Sequence, residues 1–563
     1  MDCNQDEKPC KVETPQGFSV IYRNRLLYSK YSPARQILAT IASLRPLPGT
    51  AFLCCSPVLT YGLSELLSLM PEGCAVICCE YDDALRNFEE NSEEFRGLLE
   101  SDGSLFFPDR SDLMRLPLIL NARGAALGEG RKPLPPPGTF RRAVRIDFSA
   151  GVGPHQEFYA ELERACMESV RRFWTNRFTL VRFGRKYSEN MFRNLSRIAE
   201  TTPIGNFFGR TDRPIIVFGA GESADFPSSI ADRDRYCILC ADTALRPLAS
   251  RGIIPDGVFI EEAQNVIAEA FIGTAEYGIR IFAGLTAVPS IMEAAKDPRR
   301  VSFFASRYTD SGFLDRLSKE PFFPPENIPL GSVGLTAVFY ALKFRSGRDV
   351  PVFIYGLDFS YSAGRTHMRG TFHGAAALSA SSRLVPPHNY SASFSETAVR
   401  MAGKNGKDVF TTPALLGYRD TFAAMFGKTP RLLDGGCTGL PLGIPSGQPA
   451  LRPHSADTNR KDTDFPDGDS FPDGTDKSLT AYFRGELDAL TELKWLLTGG
   501  AAETGNLAEL IEEKAEPREY LYLHFPDGWR FSMDLPFLKR ISIETDFFIK
   551  KFRLILEKLD SRT

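Results

Sequence analysis

Six short apolar runs recur between residues 214 and 356: PIIVFG (214–219), YCILCAD (236–242), GVFIEE (257–262), IRIFAG (279–284), VSFFAS (301–306) and VPVFIYG (350–356). Each has the length and the β-branched and aromatic content of a strand buried on both faces. Most are separated by amphipathic helical patterns. That alternation predicts a mainly parallel sheet with helices on both faces. Such sheets bind ligands beyond the carboxyl ends of their strands, so the residues just after each run are the first candidates for a site.

The last run carries the densest chemistry. Val352–Tyr355 stops at Gly356, and Asp358, Ser360, Tyr361, Thr366 and His367 follow in a glycine-containing loop. The chain has six histidines, and His367, His373 and His388 all lie in this stretch or soon after it. His367, following a strand-end Gly-Leu-Asp, is the strongest candidate. After the first run, Gly219-Ala220-Gly221-Glu222-Ser223 is either a tight strand-to-helix turn or a backbone that admits a ligand closely. Asp242, after the second run, either caps a helix or accepts from a ribose or base. Glu261 and Glu262 end the third. Gly331-Ser332-Val333-Gly334-Leu335-Thr336 opens a helix; Ser332 is a good cap, and exposed amides there suit a phosphate.

A chain of 563 residues is too long for a single core. The N-terminal stretch suggests a hairpin turning near Asn24-Arg25, then strand AFLCC (51–55), helix LSELLSLM (63–70) and strand CAVICCE (74–80). Glu80 stands where nucleotide-binding folds place a ribose-binding acid, but the connecting SPVLTYG lacks the glycine fingerprint, which favours a scaffold without cofactor. Residues 1–17 read as frayed, 125–141 as a surface loop and 154–200 as a long helix. The polar, Asp/Pro/Gly-rich stretch 444–478, which contains FPDG twice, reads as a disordered linker. Beyond it, 479–515 and 537–559 have helical periodicity, with a third FPDG (525–528) as a turn between strands. The expected organisation is α/β: an N-terminal Rossmann-like α/β domain (1–150), a central sheet domain (151–443), the linker and a mostly helical C-terminal domain (479–563).

A formal net charge of −3 gives no global pull toward nucleic acid or anionic lipid. No run approaches the roughly 20 apolar residues of a membrane span. Eleven cysteines, an odd number, with Cys54, Cys55, Cys78, Cys79, Cys237 and Cys240 inside strand-like runs, favour free thiols and a cytoplasmic location. No metal set is read from the spacing.

Taken in order, GAGES, CADTALRPLASRGIIPDGVF, GSVGLTAVFYAL, VFIYGLDFSYSAGRTHMRG, GKNGKDVFTTP and RLLDGGCTGLPLGIP resemble the motility-associated factor (Maf) flagellin glycosyltransferases. The central domain of that family is similar to 6-hydroxymethylpterin diphosphokinase (MptE-like) and its fold to bacterial sialyltransferases. The resemblance covers about residues 150–445. It implies transfer of a nonulosonic acid from a CMP-activated donor to Ser or Thr of flagellin, with no firmly implied cofactor. Gly219, Gly221, Glu222, Ser223 and Asp242 would then hold the nucleotide, and Ser332, Gly334 and Thr336 would face the phosphate. Asp358, Tyr361 and His367 would line the reaction centre, with His388 as an alternative base. The chain departs from the family pattern at Glu222 and Ala224, where Pro and Leu are usual, and at Glu261-Glu262, which replace a strand-end Asp. Two other readings stand beside this one. A diphosphokinase would use ATP and Mg²⁺ held by Asp242, Glu261 and Glu262. A non-catalytic flagellin-binding assembly factor is suggested by the carboxylate of Glu222 beside an anion site.

Overall fold

The computed structural model describes residues 8–122, 124–128, 132–225, 230, 233–385, 390–449, 465, 470–499 and 506–562. The chain forms two compact units: Met1–Gly184 with Tyr522–Ser532, and Arg185–Leu521 with Met533–Thr563. The first unit thus runs past the expected boundary at 150, and the C-terminal helices share a unit with the large sheet.

In the first unit, a four-stranded parallel sheet has the order Leu105–Phe106, Ala75–Cys79, Thr50–Cys55, Arg142–Asp147. The AFLCC and AVICC runs are buried throughout, because helices cover both faces. Asp82 starts the helix Asp83–Glu90 by accepting from the amides of Ala84 and Leu85. Arg23 and Asn24 have positive φ and form the expected hairpin turn. Residues 10–14 are not frayed: Cys10–Thr14 pairs antiparallel with Gly17–Tyr22. Glu80 is fully buried, and its carboxylate accepts from Ser56 Oγ (2.7 Å), the Asp82 amide (2.9 Å) and the Tyr159 hydroxyl (3.1 Å). That acid ties the carboxyl ends of the two inner strands together. FPDG at 525–528 lies among turns with no flanking strands.

The second unit contains an eight-stranded, all-parallel sheet. Its order is Glu326–Asn327, Val301–Ser306, Arg280–Gly284, Gly257–Ile260, Cys237–Ala241, Ile215–Phe218, Val352–Tyr355, Leu432–Asp434. All six expected strands are present, with one further short strand at each edge. The chain leaves Ile215–Phe218 in one direction and later returns to its other side with Val352–Tyr355, Phe218 aligning with Tyr355. This pair is the topological switch point, where the crevice of an open parallel sheet forms. Helix Val333–Phe344 packs on the sheet with an aromatic core around Phe259, Phe282, Tyr340 and Phe344. Phe465, in the segment expected to be a linker without a core, is 4% exposed. Its ring lies 5.2–5.3 Å from those of Phe207, Phe282 and Phe344, and its carbonyl accepts from Arg280 Nε. Among the described residues of that segment, Phe465 is thus anchored in the sheet's core, and Ser446–Gln448 also bond to Asp434, Gly435 and Tyr355. The C-terminal helices Thr475–Leu497 and Leu535–Asp560 pack together, with Phe192 of the long helix Gln156–Leu195 against Phe483, Phe548 and Phe552. Among the described residues no helix is long and apolar enough to cross a membrane.

Candidate functional site

The two loops at the switch point are joined by a buried carboxylate. Asp358 is 3% exposed. Its Oδ2 accepts from the Ser223 amide at 2.7 Å, and its Oδ1 accepts from the Ser223 hydroxyl. Ser223 Oγ in turn accepts from the Gly356 amide at 2.8 Å. The GAGES and GLDFSY segments are thereby one object. The glycines between them serve that contact: a Cβ on Gly219 would lie 2.4 Å from the Gly356 carbonyl oxygen, and one on Gly221 would lie 2.6 Å from Asp358 Oδ2. Their space is filled by protein, so the close-approach role expected of Gly219 and Gly221 is toward the neighbouring loop. Burial raises the Asp358 carboxyl to about 6, against the pull of Ser223 and of the Lys404 ammonium. Lys404 is paired with Asp434 at 2.6 Å. Asp434 ends the edge strand and also accepts from the Gly436 amide.

Glu222 does not stand free beside an anion site. Its Oε1 accepts from the Ser362 amide and its Oε2 from the Ser362 hydroxyl, both at 2.7 Å. Arg365 pairs with it at 3.1 Å and with Asp225 at 2.7 Å. Asp225 also pairs with Arg251 and accepts from the Arg369 amide. These contacts fasten loop 362–369 over the GAGES turn, with the Met368 amide on the Ala220 carbonyl at 2.8 Å. His367 sits in this fastened loop, half-buried, with Nδ1 3.0 Å from Thr366 Oγ1 and its ring stacked 5.9 Å from His373. Burial, then the neighbouring His373, lowers its pKa from 6.5, so the imidazole is neutral at pH 7. Tyr361 is buried and its hydroxyl donates to the Ala392 carbonyl at 2.8 Å. His388 lies outside the described residues.

A second set of candidates lies at the ends of the neighbouring strands. Asp242 is 5% exposed and accepts from the Thr243 amide and hydroxyl at the start of helix Asp242–Ser250. Burial raises its carboxyl to about 7, with Glu262 and Glu261 adding to the rise. Glu261 accepts from Ser306 Oγ and from Thr336 Oγ1 (2.7 Å), so Thr336 anchors the start of helix Val333–Phe344 to the sheet. Ser332 holds the N-cap position but makes no side-chain capping bond, which leaves its hydroxyl available. Leu357 joins the two sets: its Cδ1 is in reach of a Cβ placed on either Gly219 (2.6 Å) or Gly334 (3.2 Å). The GAGES turn, the GLDFSY loop and the helix start therefore meet at one rim. Lys404, Asp434, Arg365 and Asp225 belong to this assembly and were not singled out from the sequence. Three of them lie inside the segments that carried the resemblance, Arg365 in VFIYGLDFSYSAGRTHMRG, Lys404 in GKNGKDVFTTP and Asp434 in RLLDGGCTGLPLGIP, where no role was read for them.

A family model described as 6-hydroxymethylpterin diphosphokinase MptE-like matches residues 189–364, the stretch that builds most of this rim. A protein of Treponema pallidum (strain Nichols), described as uncharacterized, is 30% identical over 574 aligned residues, covering 98% of this chain and 96% of that protein. The structure of the Maf glycosyltransferase from Magnetospirillum magneticum AMB-1 superposes with a TM-score of 0.53 over 99% of this chain and 92% of that one, at 13% identity. Residues 189–364 form an MptE-like domain, and the chain belongs to one family with the Treponema protein over nearly its whole length and has the fold of the Maf glycosyltransferase structure.

Proposed function

We propose that the protein is a glycosyltransferase that moves a nonulosonic, sialic-acid-like sugar from a CMP-activated donor to a Ser or Thr hydroxyl of flagellin. The observation that supports the reading is a half-buried imidazole, His367, its pKa lowered from 6.5 by burial, carried by the loop fastened over the GAGES turn at the switch point of a parallel sheet. In this reading His367 takes the proton from the acceptor hydroxyl as its oxygen attacks the anomeric carbon. The bond from that carbon to the phosphate oxygen breaks, and CMP leaves with the electron pair. Ser332 and the amides at the helix start meet the leaving phosphate, to which Tyr361 donates its O–H on release from the Ala392 carbonyl. Asp242, protonated near neutrality, donates to the nucleotide. Asp358 and Glu222 are positioning residues that hold the His367 loop.

The MptE-like match favours a second reading, a pterin diphosphokinase with Mg²⁺. The acids at the rim suit a divalent ion poorly: both oxygens of Glu261 accept from Ser306 and Thr336, and one of Glu262 accepts from the Gln264 amide. The non-catalytic reading loses its motive, because Arg365 neutralises Glu222. Co-expression with flagellin and the sugar pathway, followed by intact-mass measurement of flagellin, tests the proposal. Mass increments of one nonulosonic acid are expected. AMP release from ATP with a hydroxymethylpterin, without any flagellin increment, would select the diphosphokinase.

A further inference from the structure

We propose that a groove on the first unit, remote in sequence from the rim above, is a docking site for an acidic amphipathic helix of a partner protein. The groove has a volume of about 630 Å³ and lies between the strand Arg142–Asp147 and the helix Gln156–Leu195. Arg142–Asp147 is the edge of its sheet, so nothing within the sheet covers this side. Met167, Val170, Trp174 and Phe178 line the groove: Val170 is buried in the core and forms its floor, Trp174 is partly buried, and Met167 and Phe178 stand out from it. They recur every three or four residues, so they form one stripe along the helix. Met167 is 51% exposed and Phe178 73%, and the stripe continues to Val181. From Met167 to Val181 it spans about 21 Å at 1.5 Å per residue. A small ligand fills only part of that length; four turns of a second helix match it.

The charges around the stripe fix the sign of the occupant. Arg141, Arg142, Arg164 and Arg171 line the groove, against one acid, Glu168. Arg164 pairs with Glu161 and Arg171 with Glu168. Arg142 donates to the neutral Pro48 carbonyl and Thr50 hydroxyl. The Arg141 guanidinium lies 3.3 Å from the Trp174 ring centre and 5.3 Å from that of Trp529, a cation on aromatic faces. Among the described residues neither Arg141 nor Arg142 has a carboxylate partner. A helix with Leu-type residues on one face and Glu or Asp along its margin meets both the stripe and these cations. A two-fold pairing of this groove with itself would set the same arginines against each other.

The test uses the full-length protein and a fluorescein-labelled 18-residue helical peptide with leucines on one face and glutamates beside them. Anisotropy should show micromolar binding that weakens with added salt. Phe178→Glu and the pair Arg141→Glu/Arg142→Glu should each weaken it at least tenfold, with circular dichroism confirming that these surface variants remain folded. The proposal is overturned if the glutamate peptide does not bind, or if a scrambled or lysine-substituted version binds as well. It is also overturned if dodecyl phosphate alone occupies the groove, or if light scattering shows a dimer that Met167→Glu dissociates.

Discussion

Replacing Ser223 by alanine removes the one hydroxyl on which both loops at the crevice depend. Ser223 is 1% exposed, and its Oγ donates to Asp358 and accepts from the Gly356 amide. Without it, a buried carboxylate oxygen and a buried amide each lose a partner. Each such loss costs about 1–3 kcal/mol, and the charged acceptor lies toward the upper end, so Ser223→Ala should destabilise the second unit by roughly 4 kcal/mol. For a unit of this size that corresponds to roughly 5 °C in Tm. Calorimetry reads the shift in Tm. Asp358→Asn supplies the second arm of a double-mutant cycle: if the two side chains act through each other, the double variant costs less than the sum of the singles by more than about 1 kcal/mol. A Ser223→Ala cost below about 1 kcal/mol, with an additive double variant, would refute the description of this junction.

The imidazole of His367 is lowered from 6.5 by burial, so the acid limb of kcat/KM should have its midpoint below 6.5; a midpoint above 6.5 would contradict its role as base. The Asp242 carboxyl is raised from 3.8 to about 7, so the folded state binds the extra proton across that window and stability falls as pH rises through it. Asp242→Asn keeps an oxygen for the Thr243 amide and carries no charge. Its stability relative to wild type in urea should therefore rise between pH 4 and pH 8 by a few kcal/mol, to order of magnitude, and a difference flat with pH would exclude the buried-acid account. Phe465→Ala should cost about 3–5 kcal/mol, as for a core phenylalanine, whereas a free tether would give no change in urea midpoint.

The large sheet was readable because its six long strands are buried on both faces, and continuous apolar runs need no partner to be recognised. The two edge strands were missed: Glu326–Asn327 has two residues and Leu432–Asp434 three, too few to carry a pattern. Cys10–Thr14 is polar because its hairpin faces solvent, so its composition resembles a frayed end. Phe465 was invisible for a different reason. One buried ring in a polar stretch has no periodicity, and its partners are contributed by distant strands and helices. At the site, strand-end positions were legible for Asp242, Glu261, Asp358 and the loop of His367. Which oxygen each acid serves was not, because the pairs Ser223–Asp358, Glu222–Arg365 and Lys404–Asp434 join segments far apart in the chain. Glu222 is the clearest case: read alone it is a charge that repels a phosphate, and in place it is the counter-ion that holds a loop.

The most direct measurement of the central claim is the rate at which purified protein adds a nonulosonic acid from its CMP donor to flagellin, read by intact mass, in wild type and His367→Ala. Transfer by the wild type and a fall of roughly 10²–10⁴-fold in the folded variant are expected. Equal rates in the two proteins, or no added mass with either, would contradict it.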